Sequence, residues 1–158
     1  MCETDTHPRH FAMKTHITVL EQEAVDGLKL GDSAVVVDAT FGAGGHSRRI
    51  ASLLHKAGTL IGIDADEAAL AGGRDLLKDA ACTVHLVAGN FRTLHTQLVL
   101  LHIEQVDAIL ADLGWRMEQF SGNGRGFSFQ VDEPLLMTFG DPKQYPFVAK
   151  DIVNEWKE

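Results

Sequence analysis

Three aspartates, Asp38, Asp64 and Asp112, each stand at the end of a short apolar run. A carboxylate at the carboxyl end of a buried strand can hold ribose hydroxyls, face a positively charged ligand or accept a proton. Asp38 closes Val35-Val36-Val37 and is followed by Ala39-Thr40-Phe41-Gly42-Ala43-Gly44-Gly45-His46. The glycines there let the backbone turn tightly. Strand, glycine turn and helix in that order hold a nucleotide-like ligand in α/β proteins. The spacing is not Gly-x-Gly-x-x-Gly, and no Gly-Lys-Ser/Thr follows, so neither the dinucleotide fingerprint nor a P-loop is met. A pyrophosphate favours helix N–H groups without a neighbouring carboxylate, and Asp38 precedes this turn. S-adenosylmethionine fits better: it carries a sulfonium, an ammonium and a ribose, and no phosphate. Asp64 ends Thr59-Leu60-Ile61-Gly62-Ile63, about 20 residues beyond the glycines, where a carboxylate can hold both ribose hydroxyls.

Other chemistries have less support. The eight histidines include no His-x-x-x-His with a helical Glu and none beside a cysteine pair, so no metal site is expected. Cys2 and Cys82 suggest neither a disulfide framework nor a zinc pattern. The net charge of -8 argues against a free-standing nucleic-acid binder, though not against an enzyme that reaches RNA through a local basic patch. No apolar run is long enough to span a bilayer, and Met1 to Arg9 lacks a signal-peptide core. These features point to a soluble, cytoplasmic protein.

The elements that must position the aspartates can be read from periodicity. Thr18 and Glu21 fit a capping box ahead of a helix with Leu20, Ala24, Val25 and Leu28 on one face. His46 to Leu54 reads as the helix after the glycine turn, with Gly58 as its C′ residue. Asp66 is placed to cap a third helix carrying Ala69, Leu70, Leu76 and Leu77, whose middle Gly72-Gly73 weakens. Thr83 to Ala88 reads as a strand, Gly89-Asn90-Phe91 as its turn, and Leu94, Leu98 and Leu101 as a helix face. Val106 to Leu113 reads as a fourth strand. This alternation predicts four parallel strands ordered 3-2-1-4 with helices on both faces and right-handed crossovers. Asp38, Gly42, Gly44, Asp64, Phe91 and Asp112 then all meet at strand carboxyl ends.

Three regions follow. Residues 1–14 are polar and read as a mobile tail. Residues 15–114 form the cofactor-binding α/β domain. Residues 115–158 are irregular, with a helix starting near Phe147, and read as the beginning of a helical insertion domain. The fourth strand would lie at a sheet edge, so its apolar run predicts self-association, poor solubility or covering by residues 115–158.

Several strings together identify a family. His16-Ile17-Thr18-Val19-Leu20, Asp38 through Ser47, Ile63-Asp64-Ala65-Asp66, Asp112-Leu113-Gly114 and Arg125-Gly126-Phe127-Ser128-Phe129 resemble the small-subunit ribosomal RNA methyltransferase H (MraW) family. That resemblance implies a Rossmann-like S-adenosylmethionine-dependent methyltransferase fold and methylation of a cytosine N4 in small-subunit rRNA. Carried over by position, it implies cofactor contacts at Gly44, Gly45, His46, Asp64, Phe91, Asp112 and Gln119. The glycine amides would face the amino-acid part of the cofactor, and Phe91 would offer an apolar face to adenine. Asp112 is the candidate acceptor for the amine proton.

The chain departs from the family in two strings. Where the family has Val-Ser-Ser-Pro-Gln, this chain has Trp115-Arg116-Met117-Glu118-Gln119. The family's Pro-Leu-Asp-Met-Arg-Met-Asp stands here as Pro134-Leu135-Leu136-Met137-Thr138-Phe139-Gly140. Asp112 and Trp115 share the spacing of the Asp-Pro-Pro-Tyr motif of other amino-methyltransferases, but Trp115 reads first as a packed aromatic. The match extends over the front part of a longer family sequence, so an isolated chain of this length is expected to be impaired in methyl transfer. A non-catalytic cofactor-binding remnant and an NAD-dependent oxidoreductase of related fold are the alternatives.

Overall fold

The computed structural model describes residues 18–114 and 124–157. The proposed tail, Trp115 and Gln119 lie outside them. The strands are β1 (Val35–Asp38), β2 (Thr59–Asp64), β3 (Thr83–Ala88) and β4 (Ala108–Leu110). The helices are α1 (Glu21–Gly27), α2 (Gly45–Leu53), α3 (Glu67–Leu76), α4 (Leu94–Leu100) and α5 (Ala149–Glu155). All four strands are parallel, in the order β3-β2-β1-β4, as the alternation of strand and helix predicts.

The register explains why both central strands are continuously apolar. Val36 sits opposite Leu60, and Val37 opposite Ile61. Successive side chains leave a strand on opposite faces. Val36 and Leu60 therefore pack with Val25, Ile50, Leu54, Leu70 and Leu77 under α1, α2 and α3. Val37, Ile61 and Ile63 pack against Leu94, Leu98 and Leu101 of the α4 side. A sheet covered on both faces needs strands apolar at every position. The chain runs outward from β1 through β2 to β3, then crosses back through α4 to place β4 on the other side of β1. That reversal opens a crevice at the carboxyl ends of β1 and β4.

Local expectations fail in three places. Thr18 does not cap α1. The helix begins at Glu21, its N-cap residue Leu20 has φ 51° in the left-handed region, and no side chain caps it. Thr18 instead lies against Gly45, where a Cβ would collide with its hydroxyl. Gly58 is not the C′ residue of α2, which ends at Leu53 with Leu54 already extended. Gly58 is needed for a close approach, since a Cβ there would lie 3.0 Å from both the Asp32 carbonyl oxygen and the Leu54 Cβ. The fourth strand is shorter than Val106 to Leu113: regular pairing with β1 covers Ala108–Leu110, and on either flank a side-chain oxygen takes over part of the bonding in the same register. The Asp107 carboxylate accepts the Val35 amide at 2.7 Å, and the Asp112 amide donates to the Thr40 hydroxyl at 2.7 Å.

Residues 124–157 are irregular apart from a 3-10 turn at Pro142–Gln144 and α5. Glu133 gathers the start of this segment by accepting the Gly124 and Gly126 amides, both at 3.0 Å. The Arg125 guanidinium donates to the Phe139 carbonyl at 2.6 Å and reaches Asp66 Oδ1 at 3.3 Å. Asp66 caps α3 as expected, accepting the Ala68 amide, so this arginine ties the segment to the helix after β2. The β4 edge is left open by the described part of the segment: Ile109 is 49% exposed. No described helix is long and apolar enough to cross a membrane, and no cluster of three potential metal ligands occurs among the described residues.

Candidate cofactor cleft

The glycine turn is stitched to both neighbours of β1. The Ala39 amide donates to the Leu110 carbonyl at 2.8 Å, and the Phe41 amide to the Ile63 carbonyl at 2.9 Å. Asp64 adds a side-chain brace. Its Oδ2 accepts the Gly42 amide at 2.7 Å, and its Oδ1 accepts the Asp66 amide at 2.8 Å. One carboxylate thus sets the position of the turn after β1 and the start of α3, while each oxygen keeps a second lone pair for a ligand.

A cavity of about 450 Å³ opens over these strand ends. Its wall takes Thr40, Gly42, Gly45 and His46 from the β1 side, Asp64 and Ala65 after β2, Gly89 to Phe91 after β3, and Asp112 to Gly114 after β4. Five of the seven residues implied by the resemblance line it: Gly45, His46, Asp64, Phe91 and Asp112. Gln119 lies outside the described residues.

Gly44 stands behind the wall. Its φ of 79° places it in the left-handed region as the N-cap of α2. A Cβ there would meet Leu76 at 2.6 Å and the Phe41 ring at 2.8 Å. The glycine amides are also largely engaged within the protein, since Gly42 donates to Asp64 and Gly44 to the Phe41 carbonyl. These two amides hold the shape of the turn.

Asp38 is corrected as well. It does not line the cavity. It is fully buried, with Oδ2 accepting the Ser47 hydroxyl at 2.7 Å and Oδ1 the Thr40 amide at 3.2 Å. Burial pushes its carboxyl above the ordinary value, and these two hydrogen bonds oppose that rise. Its role is to fix the start of α2 against β1. The acidic character of the cleft comes from Asp64 and Asp112, and its lining contains no lysine or arginine among the described residues.

His46 lines the cavity yet is only 6% exposed. Its Nε2 is buried with no hydrogen-bond partner among the described residues. A buried polar atom in that state awaits a partner, and a polar ligand group in the cavity would provide one. Phe91 is 46% exposed, an apolar face offered at the end of β3. The cavity also contains Thr18, Thr40 and Phe139, which the motif reading did not place there. Thr18 had been assigned to a helix cap. Thr40 has a detectable signal only in the fold, where its hydroxyl receives the Asp112 amide. Phe139 stands within the string that departs from the family pattern.

A sequence profile of the MraW methylase family matches residues 13–158. The ribosomal RNA small subunit methyltransferase H of Brevibacillus brevis is 43% identical over 143 residues, covering 90% of this chain and 45% of that protein. The protein of the same name from Bacteroides thetaiotaomicron is 44% identical over 143 residues, with the same coverage of each. The chain therefore spans about half the length of the curated relatives it matches. A solved rRNA-methylase structure from Clostridium thermocellum superposes with a TM-score of 0.51 at 27% identity, covering 63% of this chain and 54% of that one. With a profile match over nearly its whole length, a parallel β3-β2-β1-β4 sheet and an acidic strand-end cleft, this chain belongs to the MraW methylase family.

Proposed function

We propose that the chain binds S-adenosylmethionine in the strand-end cleft and serves methyl transfer to the N4 atom of a cytosine in small-subunit ribosomal RNA. The observation that carries this reading is the charge of the cavity: Asp64 and Asp112 line it, and no lysine or arginine does among the described residues. That lining suits a ligand with sulfonium and ammonium charge. It disfavours the pyrophosphate of a nicotinamide dinucleotide, which would meet two carboxylates and no lysine or arginine among the described residues.

Each side chain has a distinct task in this reading. Asp64, held rigid by two amides, accepts the ribose hydroxyls through its remaining lone pairs. Phe91 covers one side of the adenine. His46 Nε2 meets a polar group of the bound cofactor, and Gly45, whose missing side chain makes room for Thr18, lines the same stretch of wall. Gly44 supports that stretch from behind, and Gln119 joins the contacts by position in the family. When bound, S-adenosylmethionine supplies an electrophilic methyl group. Cytosine N4 is a weak nucleophile because its lone pair is delocalised into the ring. The protein must therefore hold the amine in line and remove its proton. Asp112 stands at the end of β4 on the cavity wall, its backbone anchored to Thr40, and is the acceptor for that proton.

Calorimetry on the purified chain with S-adenosylmethionine, S-adenosylhomocysteine and NAD tests the ligand. Binding of the first two and not the third is expected, and binding of NAD in their place refutes the reading. Transfer of labelled methyl to small ribosomal subunits, scored at cytosine N4, tests the reaction. Label found only at another atom refutes the assignment of the acceptor.

A further inference from the structure

A second cavity, of about 830 Å³, lies beside the cofactor cleft between the ends of β2 and β3 and the returning segment 124–145. Ala65, Gly89, Asn90 and Phe139 line both cavities. They form the partition between the two, and Phe139 contributes the one large side chain in it. Its placement is over-determined. The ring stacks on Phe127, with centroids 5.3 Å apart and planes 22° apart. Its carbonyl accepts the Arg125 guanidinium at 2.6 Å. The next residue, Gly140, packs so closely on the β2 end that a Cβ there would lie 2.9 Å from the Ala65 carbonyl oxygen.

The partition begins at Ala65, the residue after Asp64. A nucleoside with its ribose on Asp64 has its base one glycosidic bond away. The side of the cleft adjoining Asp64 is closed by Ala65, Asn90 and Phe139, and Phe91 lines the same cavity. We propose that Phe139 is a cofactor-binding residue, supplying a second aromatic face at the base end of the cleft and selecting for ligands that carry a flat heteroaromatic ring. This rests on the reading that the cleft takes S-adenosylmethionine. Phe139 occupies a position where the family string has Met, so the aromatic face is a property of this chain.

The test is calorimetry on the full chain with two ligands: S-adenosylhomocysteine, and S-ribosylhomocysteine, which lacks the adenine. Phe139→Ala is expected to weaken S-adenosylhomocysteine binding by roughly ten- to a hundredfold, the range for losing one base-stacking aromatic. Binding of S-ribosylhomocysteine is expected to stay as it is, and Phe139→Trp to retain the affinity for both. Unchanged S-adenosylhomocysteine affinity in Phe139→Ala overturns the proposal, and so does an equal loss for both ligands, which would mark a merely structural role. Should Phe139→Ala fail to melt cooperatively, Phe139→Leu keeps most of the volume without the flat ring and is read by the same criteria. Failure of the unmodified chain to bind S-adenosylhomocysteine overturns the cofactor reading together with this proposal. Binding by the unmodified chain with an unaffected Phe139→Ala overturns this proposal alone.

Discussion

Asp64→Ala should damage the fold and the affinity by separate and measurable amounts. Asp64 accepts the Gly42 amide through one oxygen and the Asp66 amide through the other, so its removal leaves two part-buried donors without acceptors. An unsatisfied buried amide costs about 1–3 kcal/mol. Because both bonds are only partly buried, water replaces some of the loss, and about 2 kcal/mol in total is a fair figure at the low end of that range. For a chain of this size that corresponds to a fall of roughly 4–8 °C in melting temperature. The lost ribose contacts should weaken S-adenosylmethionine binding by a further ~2 kcal/mol, or roughly thirtyfold. Asp64→Asn keeps one acceptor oxygen and should fall between the two in stability. Differential scanning calorimetry without ligand reads the first effect, and titration calorimetry reads the second. An Asp64→Ala chain melting within ~1 °C of the unmodified one would refute the brace between the glycine turn and α3. An unchanged dissociation constant would refute the ribose assignment while leaving the brace intact.

Adjacent glycines in α3 should respond in opposite directions. Gly72→Ala has open space around the added Cβ and should stabilise by about 0.5–1 kcal/mol through helix propensity. Gly73→Ala drives a methyl into the Phe41 ring and should destabilise by about 1–2 kcal/mol net; equal shifts in denaturant midpoint would contradict the packing. Glu133 has its carboxyl held below the ordinary value by the Gly124 and Gly126 amides. Its contribution is therefore complete above the unfolded-state value of 4.5 and is lost as pH falls through the lowered folded-state value. Hydrogen exchange at those two amides should lose protection only in that acid range, and Glu133→Gln should abolish the dependence. Ile109→Lys, on the half-exposed edge strand β4, should reduce self-association in sedimentation velocity, and an unchanged distribution would place any association elsewhere.

Sequence alone resolves strand ends well because their signals are local. A β-branched run, an aspartate and a glycine turn lie within a dozen residues, and the alternation of strands with helices orders the sheet. That is why β1 to β3, the Asp66 cap and the strand order agree with expectation. The same reasoning misassigned Thr18, because its contact is with Gly45 of a turn distant in sequence and the residue that precedes α1 is Leu20, in the left-handed conformation. It also misread the fourth strand's length, since side-chain oxygens of Asp107 and Thr40 replace backbone acceptors at the two flanks.

The glycines show most clearly what spacing cannot reveal. Gly44, Gly62 and Gly73 come from the turn after β1, from β2 and from α3, and a Cβ at any of them would press on the Phe41 ring. Phe41 is 3% exposed and is thus a buried pivot that needs three gaps from three elements. A motif search credits Gly44 to the ligand and Gly73 to a weak helix, yet both are absences of side chain shaped by one aromatic ring. The consequence is functional. Phe41 also lines the strand-end cavity and receives the Gly44 amide at its carbonyl. The turn that presents Gly45 and His46 to the cavity is therefore set from behind by a packed ring as well as from the front by Asp64. A substitution in α3 such as Gly73→Ala can then reach the cleft without touching a ligand, by displacing that ring.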